Sequence, residues 1–103
     1  MIPKTVKIGG IQYTVNIAEH RNADNGDILM GEVTYVDANI YLNEKLQSDV
    51  MEQTLIHEIV HVILRHMGRK DLNEDEYFVD ALALNLYQVF KDNGWTFGKE
   101  MEE

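Results

Sequence analysis

The segment His57-Glu58-Ile59-Val60-His61 concentrates the residue types best able to do chemistry in this chain. Residues four apart on an α-helix lie about 40° apart around the axis and roughly 6 Å apart along it. Two imidazoles at that spacing can aim at one point, as a tetrahedral zinc ion requires. Glu58 follows the first histidine and projects beside such an ion without having to ligate it, where it can take a proton from a metal-bound water. A catalytic zinc needs a third protein ligand and one open position. Glu76-Tyr77-Phe78-Val79-Asp80 offers another pair four apart on a later helix. Glu76 is the expected ligand. Asp80 is expected to accept the second ring N–H of His57 or His61, fixing its tautomer. Both acids flank the apolar stripe of Val79 and Ala83, a poor place for unpaired carboxylates.

Each of these residues also has a plainer reading. Asn73 and Glu76 are spaced as a capping box, which would occupy the Glu76 side chain locally. Glu74 and Asp75 suit the first turn of a helix because of its dipole. His66 competes for the third ligand position. It lies about 140° around the helix from His61, so it is expected to face solvent or cap the helix. His20 falls in a polar stretch and reads as a surface residue.

The elements that must position these groups are readable from periodicity. Residues 6–8 and 11–17 flank Gly9-Gly10 and read as a hairpin around a two-residue turn. Residues 21–27 are polar and turn-rich. Residues 32–36 and 39–42 read as two further strands separated by Asp37-Ala38. Asp49 with Glu52 suggests a helix N-cap. Val50, Leu55, Ile56, Ile59, Val60 and Ile63 then recur at helical spacing until Gly68. A second helix is expected from Asn73, as its cap, to Asn93-Gly94, with Phe78, Val79, Leu82, Ala83, Leu86, Val89 and Phe90 as its apolar stripe. The fold expected is α+β: one domain over residues 1–103, with a small, mostly antiparallel sheet of three or four strands packed on two main helices. The metal site falls on residues 49–92.

Bulk properties narrow the function classes. The 103 residues carry a net charge of −9 and no cysteine. Thiolate ligands and disulfides are thereby excluded, leaving His, Asp and Glu as metal ligands. Basic residues are scattered, so no nucleic-acid partner is expected. No apolar run approaches the roughly 18 residues needed to span a bilayer, and the N-terminus lacks the pattern of a signal peptide. The expected location is cytoplasmic, with no membrane partner, and the acidic end of the chain reads as solvated.

The pair of motifs, His57-Glu58-Ile59-Val60-His61 and Glu76-Tyr77-Phe78-Val79-Asp80, resembles the signature of the gluzincin-type metallopeptidases. The short spacing and the run from Val79 to Ala83 are most similar to the minimal ImmA/IrrE-type domains of phages and mobile elements, over residues 30–92. The resemblance implies a minimal zincin-like fold and a zinc-dependent endopeptidase acting on a protein or peptide, such as a phage regulator. It also implies His57, His61 and Glu76 as ligands and Glu58 as the base. Larger gluzincins bring a His or Tyr from elsewhere to steady the oxyanion; Tyr35, Tyr41, Tyr77 and Tyr87 are the candidates here. Residues 39–42, just before the metal helix, are expected to form an exposed edge along which substrate docks. Two rival readings are a metal-binding interaction module without turnover and a metal-dependent ribonuclease with a three-histidine site. The charge and the position of His66 oppose the latter.

Overall fold

Gly9 and Gly10 both take positive φ, 60° and 84°, the backbone that a two-residue hairpin turn demands. They join β1 (Thr5–Ile8) to β2 (Ile11–Ala18), which pair antiparallel with Ile8 opposite Ile11. The computed structural model describes residues 2–19 and 29–95. His20, the turn-rich stretch and the acidic tail lie outside the described residues.

The third and fourth strands, β3 (Gly31–Thr34) and β4 (Asn39–Asn43), form an antiparallel pair. β3 stops two residues before the expected end. Tyr35 to Ala38 instead form the turn, held by Thr34 donating to Asp37 and by Asn39 donating to the Asp37 carbonyl. The sheet is mixed, in the order β1-β2-β4-β3, because β4 inserts parallel to β2 between it and β3. Two of its three pairings are antiparallel. Burial accounts for the order: Ile40 and Leu42 are fully enclosed, and the strand that carries them takes an inner position. The strand of residues 39–42 is therefore not the exposed edge expected from the sequence. β3 is the edge on that side.

The long helix α1 (Ser48–His66) is apolar on two sides. Met51, Leu55 and Val62 pack with Ile8, Tyr13, Ile40 and Leu42 of the sheet. Ile56, Val60 and Leu64 pack with Val79, Ala83 and Tyr87, three residues of α3 (Glu76–Asp92). The helices stack in sequence: α1 covers the sheet, and α3 covers α1 without packing on a strand. No described helix is long and apolar enough to cross a membrane.

The helix ends depart from expectation. α1 begins before Asp49, with Gln47 in extended conformation at the cap and no side-chain cap bond. Glu52 does not reach back to cap. Its carboxylate is buried and accepts from the Tyr87 hydroxyl at 2.9 Å, across the α1–α3 interface. The C-terminus stops at Gly68, whose φ of 72° permits Arg69 N–H to reach Leu64 and Gly68 N–H to reach Arg65, the paired bonds of a Schellman end. The link then contains a further short helix, α2 (Lys70–Asn73). The cap of α3 is Asp75, which accepts from Phe78 N–H, rather than Asn73.

His66 ends α1 on the exposed side, with its ring against the hairpin tip and Nε2 3.3 Å from the Tyr13 hydroxyl. A Cβ at Gly9 would stand 2.3 Å from His66 Nδ1. Gly9→Ala should therefore destabilise the protein by about 1–2 kcal/mol through its left-handed φ, plus the cost of displacing that ring. Urea denaturation should show His66→Ala recovering only the second part in the Gly9→Ala background. Full recovery would mean that the φ requirement is absent.

Candidate metal centre

At about 100° per residue, the two apolar faces of α1 leave a strip between them on the β3 side, and His57 and His61 occupy it. Their rings meet edge to face, with centroids 4.9 Å apart. α3 packs against the next face of α1 through Val79 and Ala83, which brings its first residue over the pair. Glu76 Oε1 lies 3.4 Å from His57 Nε2, and Glu76 Oε2 lies 3.3 Å from His61 Nε2. One ligand atom from each residue falls within 4.8 Å of the other two. A tetrahedral ion with bonds of about 2.05 Å spaces its ligand atoms by about 3.3 Å. The two imidazole-to-carboxylate distances, each to a different Glu76 oxygen, are close to that value. His57, His61 and Glu76 can hold a metal ion.

The outer ring nitrogens are also engaged. His57 Nδ1 lies 2.9 Å from Asp80 Oδ1, which settles which histidine Asp80 serves. His61 Nδ1 lies 2.5 Å from Asn73 Oδ1. Asn73 was expected to cap α3 and to box in Glu76; because Asp75 takes the cap, both side chains are released to the histidines. The sequence contained a clue to this role. A ligating histidine needs an acceptor on its other nitrogen, and Asp80 can serve only one of the two.

Glu58 is buried beside this group, in a cleft of ≈ 630 Å³ lined also by Met30, Gly31, Thr54 and Ala83. Burial, reinforced by the charges of Glu76 and Glu32, pushes its carboxyl up to about 8. Burial and the neighbouring His61 hold His57 below the usual imidazole range, against the opposite pull of Asp80 and Glu76. A neutral imidazole is the form that ligates.

Gly31, which the pattern of strands did not single out, makes room for Glu58. A Cβ there would stand 3.1 Å from Glu58 Oε2 and 2.9 Å from Thr54 Cγ2. A second cleft, of ≈ 510 Å³, lies over Tyr41 and Asn43. Among the described residues it is lined by no histidine and by none of the ligand group.

The remaining candidates separate cleanly. His66 sits on the hairpin, away from the cluster. Tyr77 is 91% exposed, and Tyr87 is tied to Glu52. Tyr41 faces away from α1, since Ile40 and Leu42 on either side of it face the core. Tyr35 is half-buried with the Arg65 guanidinium over its ring, and burial, reinforced by the charge of Glu58, raises its hydroxyl above the usual phenol range. No protein-family model, curated protein or solved structure matches this chain.

Two expectations follow from the ligand set and from Glu58. In zinc titrations, Glu76→Ala should lose high-affinity binding while His66→Ala keeps one equivalent per chain. The reverse result would move the third ligand to His66. In the metal-free protein, the raised Glu58 value means that the folded state holds a proton the unfolded state has lost. Stability must therefore fall as pH rises from about 4.5 toward 8. The depressed His57 works oppositely, but only below the ordinary imidazole value of 6.5. Between pH 6.5 and 8, denaturation should show a loss on the order of 1–2 kcal/mol, flattened by Glu58→Gln. A wild-type profile as flat as the variant's would contradict the assignment.

Proposed function

We propose that this chain is a zinc-dependent metallopeptidase of the minimal gluzincin type, acting on a protein or peptide in the cytoplasm. The observation that carries this reading is the buried Glu58 carboxyl, held in the same cleft as three convergent ligand atoms. Two imidazole nitrogens and one carboxylate make up the ligand set of an open catalytic zinc site, and the absence of cysteine favours zinc over softer alternatives. Zinc bound there supplies a Lewis acid that polarises a peptide carbonyl and lowers the pKa of a water toward about 7. With the ion bound, Glu58 would be favoured in its ionised form. Glu58 then accepts a proton from the attacking water and delivers it to the leaving amine. Asp80 and Asn73 keep the two imidazoles in the ligating orientation throughout.

An extended peptide fits best along β3, the edge strand whose Gly31 lines the cleft beside Glu58. This replaces β4 as the docking edge. The net charge of −9 supports a protein substrate over a nucleic acid. A regulator encoded by a phage or mobile element is the substrate class that the resemblance implies.

One observation favours a second reading, a metal-binding module without turnover. Tyr77 is exposed, Tyr87 is tied to Glu52, Tyr41 faces the other cleft and the Tyr35 ring is covered by the Arg65 guanidinium, so none of the described tyrosines stands ready to steady an oxyanion. Glu58→Gln separates the two readings. The peptidase reading expects unchanged zinc stoichiometry with cleavage of an unstructured protein lowered about 10²- to 10⁴-fold. Cleavage that survives in Glu58→Gln, or that is missing from zinc-loaded wild type across a broad peptide library, would refute it.

A further inference from the structure

The polar contacts between α1 and α3 step along the two helices in opposite order, so the pair runs antiparallel. His61 meets Glu76, His57 meets Asp80, and Glu52 meets Tyr87. Between Glu76 and Tyr87, the buried residues of α3 are Val79 and Ala83. Burial of apolar side chains is non-directional, so it resists parting the helices more than sliding one along the other. A metal site does not tolerate sliding, because its ligand atoms must be placed to within about 0.5 Å. Glu76 and Asp80 cannot hold the helix at that precision themselves. Their side chains are 62% and 67% exposed, and ion pairs in that setting are weak.

A contact able to fix the height of α3 lies three turns from Glu76, about 16 Å along the axis. There the Tyr87 hydroxyl donates to Glu52 Oε1 at 2.9 Å, and both residues are 8% exposed. A hydrogen bond of this length is lost by about 3.6 Å. A buried carboxylate that loses a donor is penalised by more than the bond contributes. A slide of an ångström is therefore opposed here even where the apolar stripe allows it. Lys91 Nζ lies 3.5 Å from Asp49 Oδ1, 3.9 Å from Glu52 Oε1 and 5.6 Å from the Tyr87 ring centroid, which keeps a cation beside the buried charge. None of these four residues lines the metal cleft.

We propose that Tyr87 and Glu52 are positioning residues for the metal site: their buried hydrogen bond fixes the height of α3 on α1 and so sets Glu76 within range of both histidines. The inference deepens the metal-site reading and rests on it, but the height of the helix can be read without metal.

The test compares Tyr87→Phe, Glu52→Gln and the double variant Glu52→Leu with Tyr87→Phe. Affinity for zinc alone is measured by competition with a chromogenic chelator, under conditions where each protein is fully folded. Stability is measured by urea denaturation of the metal-free forms. Methyl NOEs joining Ile56 and Val60 of α1 to Val79 and Ala83 of α3 report the height of the helix without metal. Tyr87→Phe should lower stability and weaken zinc about tenfold. Glu52→Gln keeps an acceptor for the hydroxyl and should bind zinc as wild type does. The double variant replaces both partners by apolar groups, so it should regain stability. It should not regain zinc affinity, and its NOE intensities should redistribute along α3. Recovery of stability and affinity together would reduce the pair to packing and overturn the proposal, as would lost affinity with an unchanged NOE pattern. If wild type binds no zinc, the metal-site reading fails, and the NOEs then decide this proposal alone: a pattern unchanged in the double variant sinks it.

Discussion

The double burial of α1 is the constraint from which the rest of the molecule follows. One face of the helix closes the sheet through Leu55 and Val62, and the next closes α3 through Ile56 and Val60. With both faces enclosed, the helix cannot rotate without exposing core on one side or the other. His57 and His61 are thereby held in the strip between the two contacts. Glu58, nearer the sheet, is buried because its neighbours in the helix are. The rigidity that a ligand set requires is supplied by apolar packing and not by the polar groups themselves.

The same burial creates an electrostatic problem. The charges of Glu76 and Glu32 bear on the buried Glu58 in a chain already at −9. Without a cation, the buried Glu58 takes up a proton to relieve the conflict. A dication held by the histidines and Glu76 would relieve it in another way, by making the charged forms favourable. Gly31 belongs to this balance as much as the acids do. A side chain there would push on the Glu58 carboxyl directly, so a strand residue with no functional group fixes where the base can stand.

The parts of this arrangement that were legible in the sequence are those governed by short-range periodicity. The His57–His61 pair and the Glu76–Asp80 pair each lie within one helical turn, and the hairpin at Gly9-Gly10 follows from local turn chemistry. The short link between the helices was enough to bring the two pairs together. What escaped was decided by competition among distant segments. Four apolar alternations do not reveal which strand goes inside, and β4 was mistaken for an edge although Ile40 and Leu42 require cover on both flanks. The caps failed for a related reason. Asn73 and Glu52 have the right chemistry for capping, but each had a longer-range partner, His61 for one and Tyr87 for the other. Those bonds are made between elements that only tertiary packing brings together.

The stacking order has a consequence for how the molecule comes apart. Because α3 leans on α1 and α2 and on no strand, it can peel away while the sheet and α1 stay joined, as a separate cooperative opening unit. Glu76 and Asp80 would leave with it, while His57, Glu58 and His61 would remain on the part still folded. An ion held at the junction would tie the two units together, so its affinity would be expressed as slower opening of one helix and not as uniform hardening of the whole. Amide exchange along α3 would slow with metal, while exchange in β2 and β4 would keep the pace set by global unfolding.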